Sequence, residues 1–77
     1  MARHIIMDSS GHSVIDFDPS NTTDIAKAKR RFEKLIAKGF LPAERKSGGK
    51  HHVPNRSERV FNPDAEETLF IPSLRGG

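Results

Sequence analysis

At 77 residues, with 34% hydrophobic and 30% charged residues, the chain is long enough for one domain with one small core. It has no cysteine, which excludes a disulfide scaffold, a thiolate metal site and a cysteine nucleophile. The net charge is +3, and no apolar run approaches the ~18 residues of a membrane span, nor is there a signal-peptide pattern. We therefore expect a cytoplasmic, monomeric protein with no membrane partner.

The N-terminal part of the chain predicts a β-hairpin. Residues 4–7 are apolar and β-prone, whereas residues 8–11 read Asp-Ser-Ser-Gly, which is typical of a turn. Residues 12–17 have the alternation of a return strand. Because a short turn joins the two strands, we expect them to pair antiparallel.

A helix is predicted over residues 23–38. Charged residues surround an apolar face, and one of residues 21–23 (Asn, Thr, Thr) is suited to cap its start. Asp24 favours the same end through the helix dipole, and Gly39 is a good residue just beyond the last turn. The apolar positions are Ile25, Ala28, Phe32, Leu35 and Ile36.

The remainder of the chain predicts three more strands. The first runs from residue 40 to about residue 46, the second covers residues 58–61, and the last covers residues 68–71. Residues 64–67 have the pattern of one helical turn. Pro72 cannot donate a ladder hydrogen bond, so the last strand should stop there.

The resulting order, β-β-α-β-β-β, predicts an α+β domain in which one helix packs on a mixed β-sheet. The last strand is the most continuously apolar one, so we expect it in the centre of the sheet, parallel to the first strand. The helix would then be the crossover between them. The predicted core consists of Ile5 or Ile6, Ile15, Phe17, Ile25, Phe32, Leu35, Ile36, Leu41, Phe61, Leu69 and Ile71.

Several segments of the chain resemble ubiquitin-like proteins. The similar segments are residues 18–22 (Asp-Pro-Ser-Asn-Thr), 27–29 (Lys-Ala-Lys) and 68–69 (Thr-Leu), and residues 74–77 (Leu-Arg-Gly-Gly) are identical to the C-terminal end of ubiquitin. The resemblance implies a divergent ubiquitin-like β-grasp domain over residues 1–71. It also implies that residues 72–77 form a flexible C-terminal Gly-Gly tail.

The resemblance further implies that the chain is a protein modifier. An ATP-dependent activating enzyme would adenylate the carboxylate of Gly77, which would then be joined to a lysine of a target protein as an isopeptide. Gly76 has no Cβ and so fits a narrow channel, Arg75 would pair with a carboxylate of the activating enzyme, and Leu74 would pack at the channel mouth. On this hypothesis the chain is a substrate and not an enzyme, and it needs no cofactor.

Two alternatives remain open. The adenylated terminus also suits a sulfur carrier, in which Gly77 becomes a thiocarboxylate. The chain also fits a small basic binding module for nucleic acid or a protein partner, because residues 43–59 carry five basic residues against two acidic ones. Without Tyr or Trp for base stacking, we expect nucleic-acid binding to be weak. The cations of this predicted basic surface are Arg45, Lys46, Lys50, Arg56 and Arg59.

The four histidines do not predict a metal site. No cysteine or carboxylate accompanies them at ligand spacing, and adjacent histidines in an extended segment point in opposite directions. We therefore expect no bound metal.

Overall fold

The computed structural model describes residues 1–9 and 11–72. These residues form a small α+β structure in which one α-helix packs on a four-stranded mixed sheet. The elements are β1 (Ala2–Asp8), β2 (Gly11–Phe17), α1 (Thr22–Ala37), β3 (Leu41–Arg45), a 3-10 helix (Arg56–Glu58) and β4 (Glu67–Ile71).

The strands lie in the order β2-β1-β4-β3. β1 and β2 pair antiparallel as the predicted hairpin, with Ala2 opposite Phe17. β4 lies between β1, to which it is parallel, and β3, to which it is antiparallel. The predicted interior position of the last strand, parallel to the first, is therefore confirmed.

The predicted element order β-β-α-β-β-β is wrong between β3 and β4. Residues 58–61, predicted as a strand, are outside the sheet, and residues 64–67 form no helical turn, because Glu67 already begins β4. In this part of the chain the sheet gains a single bridge, in which Glu44 and His52 exchange two backbone hydrogen bonds of 2.8 Å.

Side-chain packing explains the missing strand. The ring of Phe61 packs against the buried residues between α1 and the sheet, so this residue lies beneath the helix and is not part of the sheet. The side chain of Asn62 then accepts a hydrogen bond from the backbone N–H of Asp64 at 2.9 Å, which forms an Asx turn before β4.

The start and end of α1 follow from local chemistry. Asn21 is the N-cap, and its Oδ1 accepts a hydrogen bond from the backbone N–H of Asp24 at 3.0 Å. The side chain of Asp24 in turn accepts a hydrogen bond from the backbone N–H of Asp18, so Asp24 links the first turn of the helix to the segment that precedes it. The helix ends at Ala37, and Gly39 has a φ of +97°, which favours glycine. The predicted bounds are correct to within one residue at each end.

The apolar face of α1 covers one face of the sheet. The buried side chains form two adjoining groups, and Phe61 packs against both. The groups are Ala2, Phe17 and Ala28, and Phe32, Leu35 and Phe70.

The last strand has its predicted place in the sheet, but the face that it turns towards α1 is the opposite of the predicted one. Phe70 is fully buried against the ring of Phe32, with 5.7 Å between ring centroids. Because side chains alternate along a strand, Leu69 and Ile71 point to the other face, and Ile71 is 37% exposed. Leu41 lies opposite Ile71 and shares that face, so the prediction that Leu41, Leu69 and Ile71 belong to the core under the helix is wrong.

Candidate functional site

The predicted conjugation site comes a few residues after β4 in the sequence. Residues 74–77, which were predicted to contact an activating enzyme and to be conjugated, lie outside the described residues. β4 ends at Ile71, and Pro72 follows it, as predicted. Because Ile71 lies opposite Leu41, the chain leaves the sheet beside the start of β3.

The predicted basic surface is partly neutralised within the protein. Arg45 Nη2 lies 2.9 Å from an oxygen of Glu66 and 3.3 Å from one of Glu67. Arg59 is half-buried, and its Nε donates a hydrogen bond to the carbonyl of Pro54 at 3.1 Å. The exposed cations of this surface are Lys46, Lys50 and Arg56. The charge of residues 43–59 therefore overstates the positive surface that this segment presents.

Glu67 connects this segment to the sheet. Its second carboxylate oxygen lies 3.0 Å from Nε2 of His51. Burial alone would raise the pKa of Glu67, but hydrogen bonds from His51 and Arg45, with the charges of the same two groups, lower it. The carboxylate is therefore ionised at neutral pH. Its role is structural, because it attaches the loop that contains His51 to the start of β4.

A different set of cations lies together on one side of α1. Its members are spaced by three, one and three residues, which places them on the same helix face, and they line a shallow depression of about 290 Å³. Within residues 1–9 and 11–72, none of them takes part in an ion pair. We call this surface the basic side of α1; its residues are Lys27, Arg30, Arg31 and Lys34.

Arg31 is held in place by a buried histidine. Its Nε donates a hydrogen bond to Nδ1 of His4 at 3.1 Å, and His4 is 1% exposed. The His4 ring packs among the rings of Phe17, Phe70 and Phe61. Burial, followed by the charge of Arg31, lowers the pKa of His4 to about 4, so the ring is neutral and its Nδ1 can accept a hydrogen bond.

Sequence reasoning did not find the role of His4, although one signal was present. Ala2, His4 and Ile6 have the same parity in a strand, so all three share the face that α1 covers. A histidine between two apolar residues at this spacing indicates a buried ring that needs a hydrogen-bond partner.

A groove of about 490 Å³ lies along another side of α1, between the helix and the segment that precedes β4. Its lining includes the apolar side chains of Phe32, Ile36 and Phe61 and the charged side chains of Lys29 and Glu33. The lining contains no Ser, Thr, Cys or His, so the groove does not assemble a nucleophile with a base.

Neither a metal cluster nor a membrane helix is found in the described part of the chain. No group of three or more His, Cys, Asp or Glu side chains is placed to hold a metal ion there. Helix α1 is not long and apolar enough to cross a membrane, and no other helix in the described ranges is.

No protein-family model matches the chain, and neither curated proteins nor solved structures give a match. Its function is therefore inferred from its own residues and their geometry.

Proposed function

We propose that the chain is a ubiquitin-like protein modifier with a β-grasp fold, activated and transferred through the carboxylate of Gly77. One observation carries the proposal: an interior strand, parallel to the first strand and reached through α1 and β3, ends at Ile71, and Leu-Arg-Gly-Gly follows a few residues later. The hairpin, the single helix and the mixed sheet are compatible with a β-grasp.

The anchoring of β4 supports this role. β4 is hydrogen-bonded to β1 on one side and to β3 on the other, so its end is held by two neighbours. The six residues from Pro72 to Gly77 span at most about 20 Å when fully extended. An enzyme can therefore reach the carboxylate of Gly77 without separating β4 from the sheet.

The proposed chemistry needs no catalytic side chain from this protein. The Gly77 carboxylate attacks the α-phosphorus of ATP, pyrophosphate leaves, and a mixed anhydride with AMP forms. A lysine amine, directly or after transfer through an enzyme thiol, then displaces the leaving group and forms an amide. The same chemistry applies whether Gly77 ends the chain as synthesised or is exposed by cleavage.

The test is adduct formation in cells of the source organism. Trypsin cleaves after Arg75, so a conjugated target lysine should retain Gly76 and Gly77, which mass spectrometry detects. We expect the wild type to give such adducts and Gly76→Ala to give none, because a Cβ obstructs a narrow channel. Gly49→Ala is the matched control, since Gly49 is exposed and lies outside the tail.

Three outcomes separate the alternatives. A terminal thiocarboxylate without lysine adducts identifies a sulfur carrier. Adducts that persist in Gly76→Ala contradict the proposed channel. Full biological activity after deletion of Gly76 and Gly77 contradicts the modifier hypothesis and favours a binding module.

A further inference from the structure

We propose that the basic side of α1 binds the phosphate backbone of nucleic acid. This inference does not depend on the proposed modifier function, because it uses residues far from Gly77 in the sequence. The first support is charge: Lys27, Arg30 and Lys34 are exposed, and within the described ranges no carboxylate pairs with them. Cations arranged in this way are available to replace the counterions of a polyanion.

The second support is the fixed orientation of Arg31. A guanidinium has five N–H donors, and the single hydrogen bond of Arg31 in the described part of the chain uses the one on Nε. The terminal nitrogens keep their donors, while the bond to His4 fixes the plane in which they lie. A guanidinium fork held in one orientation is suited to bind a phosphate through two hydrogen bonds.

The third support is the rigidity of the platform. Helix α1 is capped by Asn21 and packed on the sheet through Ala28, Phe32 and Leu35. The distance along the helix from Lys27 to Lys34 is about 10 Å at 1.5 Å per residue. That length corresponds to roughly three phosphate spacings, and so to about four phosphates, of one strand at about 3.4 Å of duplex axis per spacing.

The composition of this surface favours nucleic acid over a membrane or a protein partner. Its lining is entirely cationic, whereas a helix that lies on a membrane exposes an apolar face. The apolar face of α1 is instead buried against the sheet. A protein partner that binds through an apolar anchor would need an apolar pocket, which the lining does not offer. The lining has no Asn, Gln, Asp or Glu side chain to read adenine or cytosine, and its Lys and Arg side chains are assigned to phosphates, so binding should be largely independent of sequence.

The experiment measures binding of the full chain to a labelled duplex of about 30 base pairs by fluorescence anisotropy, between roughly 50 and 200 mM salt. The triple variant Lys27→Gln, Arg30→Gln, Lys34→Gln removes three charges and leaves Arg31 on His4. The matched control, Lys46→Gln, Lys50→Gln, Arg56→Gln, removes the same charge from the exposed cations of the predicted basic surface.

For the wild type we expect a slope of log K against log salt of about −3.6, from four phosphate contacts at about 0.9 each. The helix variant should bind at least ~10-fold more weakly at the lowest salt, with a slope reduced by about 2.7. The control variant should retain most of the affinity and slope. If circular dichroism shows that the helix variant has lost its helix, Lys27→Gln and Lys34→Gln alone should each reduce the slope by about 0.9.

The proposal is wrong if the wild type does not bind the duplex at the lowest salt. It is equally overturned if the control variant loses as much affinity as the helix variant, or if vesicles of anionic phospholipid bind more tightly than the duplex. Conjugation through Gly77 is measured separately, so either proposal can fail without the other.

Discussion

On the face of the sheet that α1 covers, aromatic side chains are sealed from water, whereas on the opposite face aliphatic side chains reach the surface. The covered face holds His4 and Phe70, which are 1% and 0% exposed. On the open face Val14, Ile5 and Leu69 lie side by side across three strands, and Val14 is 49% exposed. The same sheet therefore buries the side chains of one face almost completely and leaves those of the other partly exposed.

Two neighbouring residues of β4 give the largest expected contrast. Phe70→Ala removes a ring that is wholly buried, so the free energy of unfolding should fall by about 3–5 kcal/mol. Leu69→Ala acts on the open face, where the side chain is half-buried, and should lower it by less than about 2 kcal/mol. Urea unfolding of both variants measures the difference. Equal losses would show that the open face is as important to stability as the covered one.

The next effect depends on pH through His4. The pKa of His4 is about 4 in the folded protein and 6.5 in the unfolded chain, so the unfolded chain takes up the proton first as pH falls. The contribution of His4 to the free energy of unfolding is complete above pH 6.5 and decreases as pH falls towards 4. From pH 7.5 to pH 5 the loss should be about 2 kcal/mol, and below pH 4 it should reach about 3 kcal/mol.

The control for this prediction is a histidine on the open face. His12 is exposed and lies opposite Met7, so His12→Gln should keep the full pH dependence. His4→Phe should remove the loss between pH 7.5 and pH 5, although it also removes the acceptor of Arg31. If both variants keep the loss, a group other than His4 causes it.

The smallest effect is expected for an ion pair on the open face. Arg3 Nε and Asp16 Oδ1 are 3.9 Å apart, and both side chains are more than half exposed. Asp16→Asn should change the free energy of unfolding by less than about 0.5 kcal/mol, because water and salt screen such pairs. The comparison is Arg45→Gln, which breaks contacts with two carboxylates at a less exposed site. It should lower the free energy of unfolding by more than Asp16→Asn does. A larger loss for Asp16→Asn would contradict the view that the open face contributes little.

The sequence was sufficient for α1 and for the position of β4, and the reasons are physical. Apolar spacing and the cap at Asn21 specify the helix. The inward face of β4 could not be predicted, because Leu69, Phe70 and Ile71 are all apolar and give no alternation. Packing against the rings of His4 and Phe32 selects Phe70 for the core.

The candidate sites were predictable to a lesser degree. Counting charges over residues 43–59 could not show that Arg45 pairs with Glu66 and Glu67, which come some twenty residues later in the chain. The spacing of the cations on α1 was readable in the sequence. The bond from Arg31 to His4 depends on tertiary structure.

The parallel pairing of β1 with β4 also determines when, during synthesis, the sheet can be completed. Arg3 lies opposite Glu67, so the centre of the sheet joins the two ends of the described chain. On a ribosome, the hairpin and α1 emerge first. The strand that joins β1 to β3 in the sheet is β4, and it is synthesised after both of them. Closing a loop of roughly 60 residues costs about 4 kcal/mol of chain entropy before the new contacts form. Folding therefore follows the release of β4 from the exit tunnel, and until then the edge of β1 that β4 will occupy has no partner.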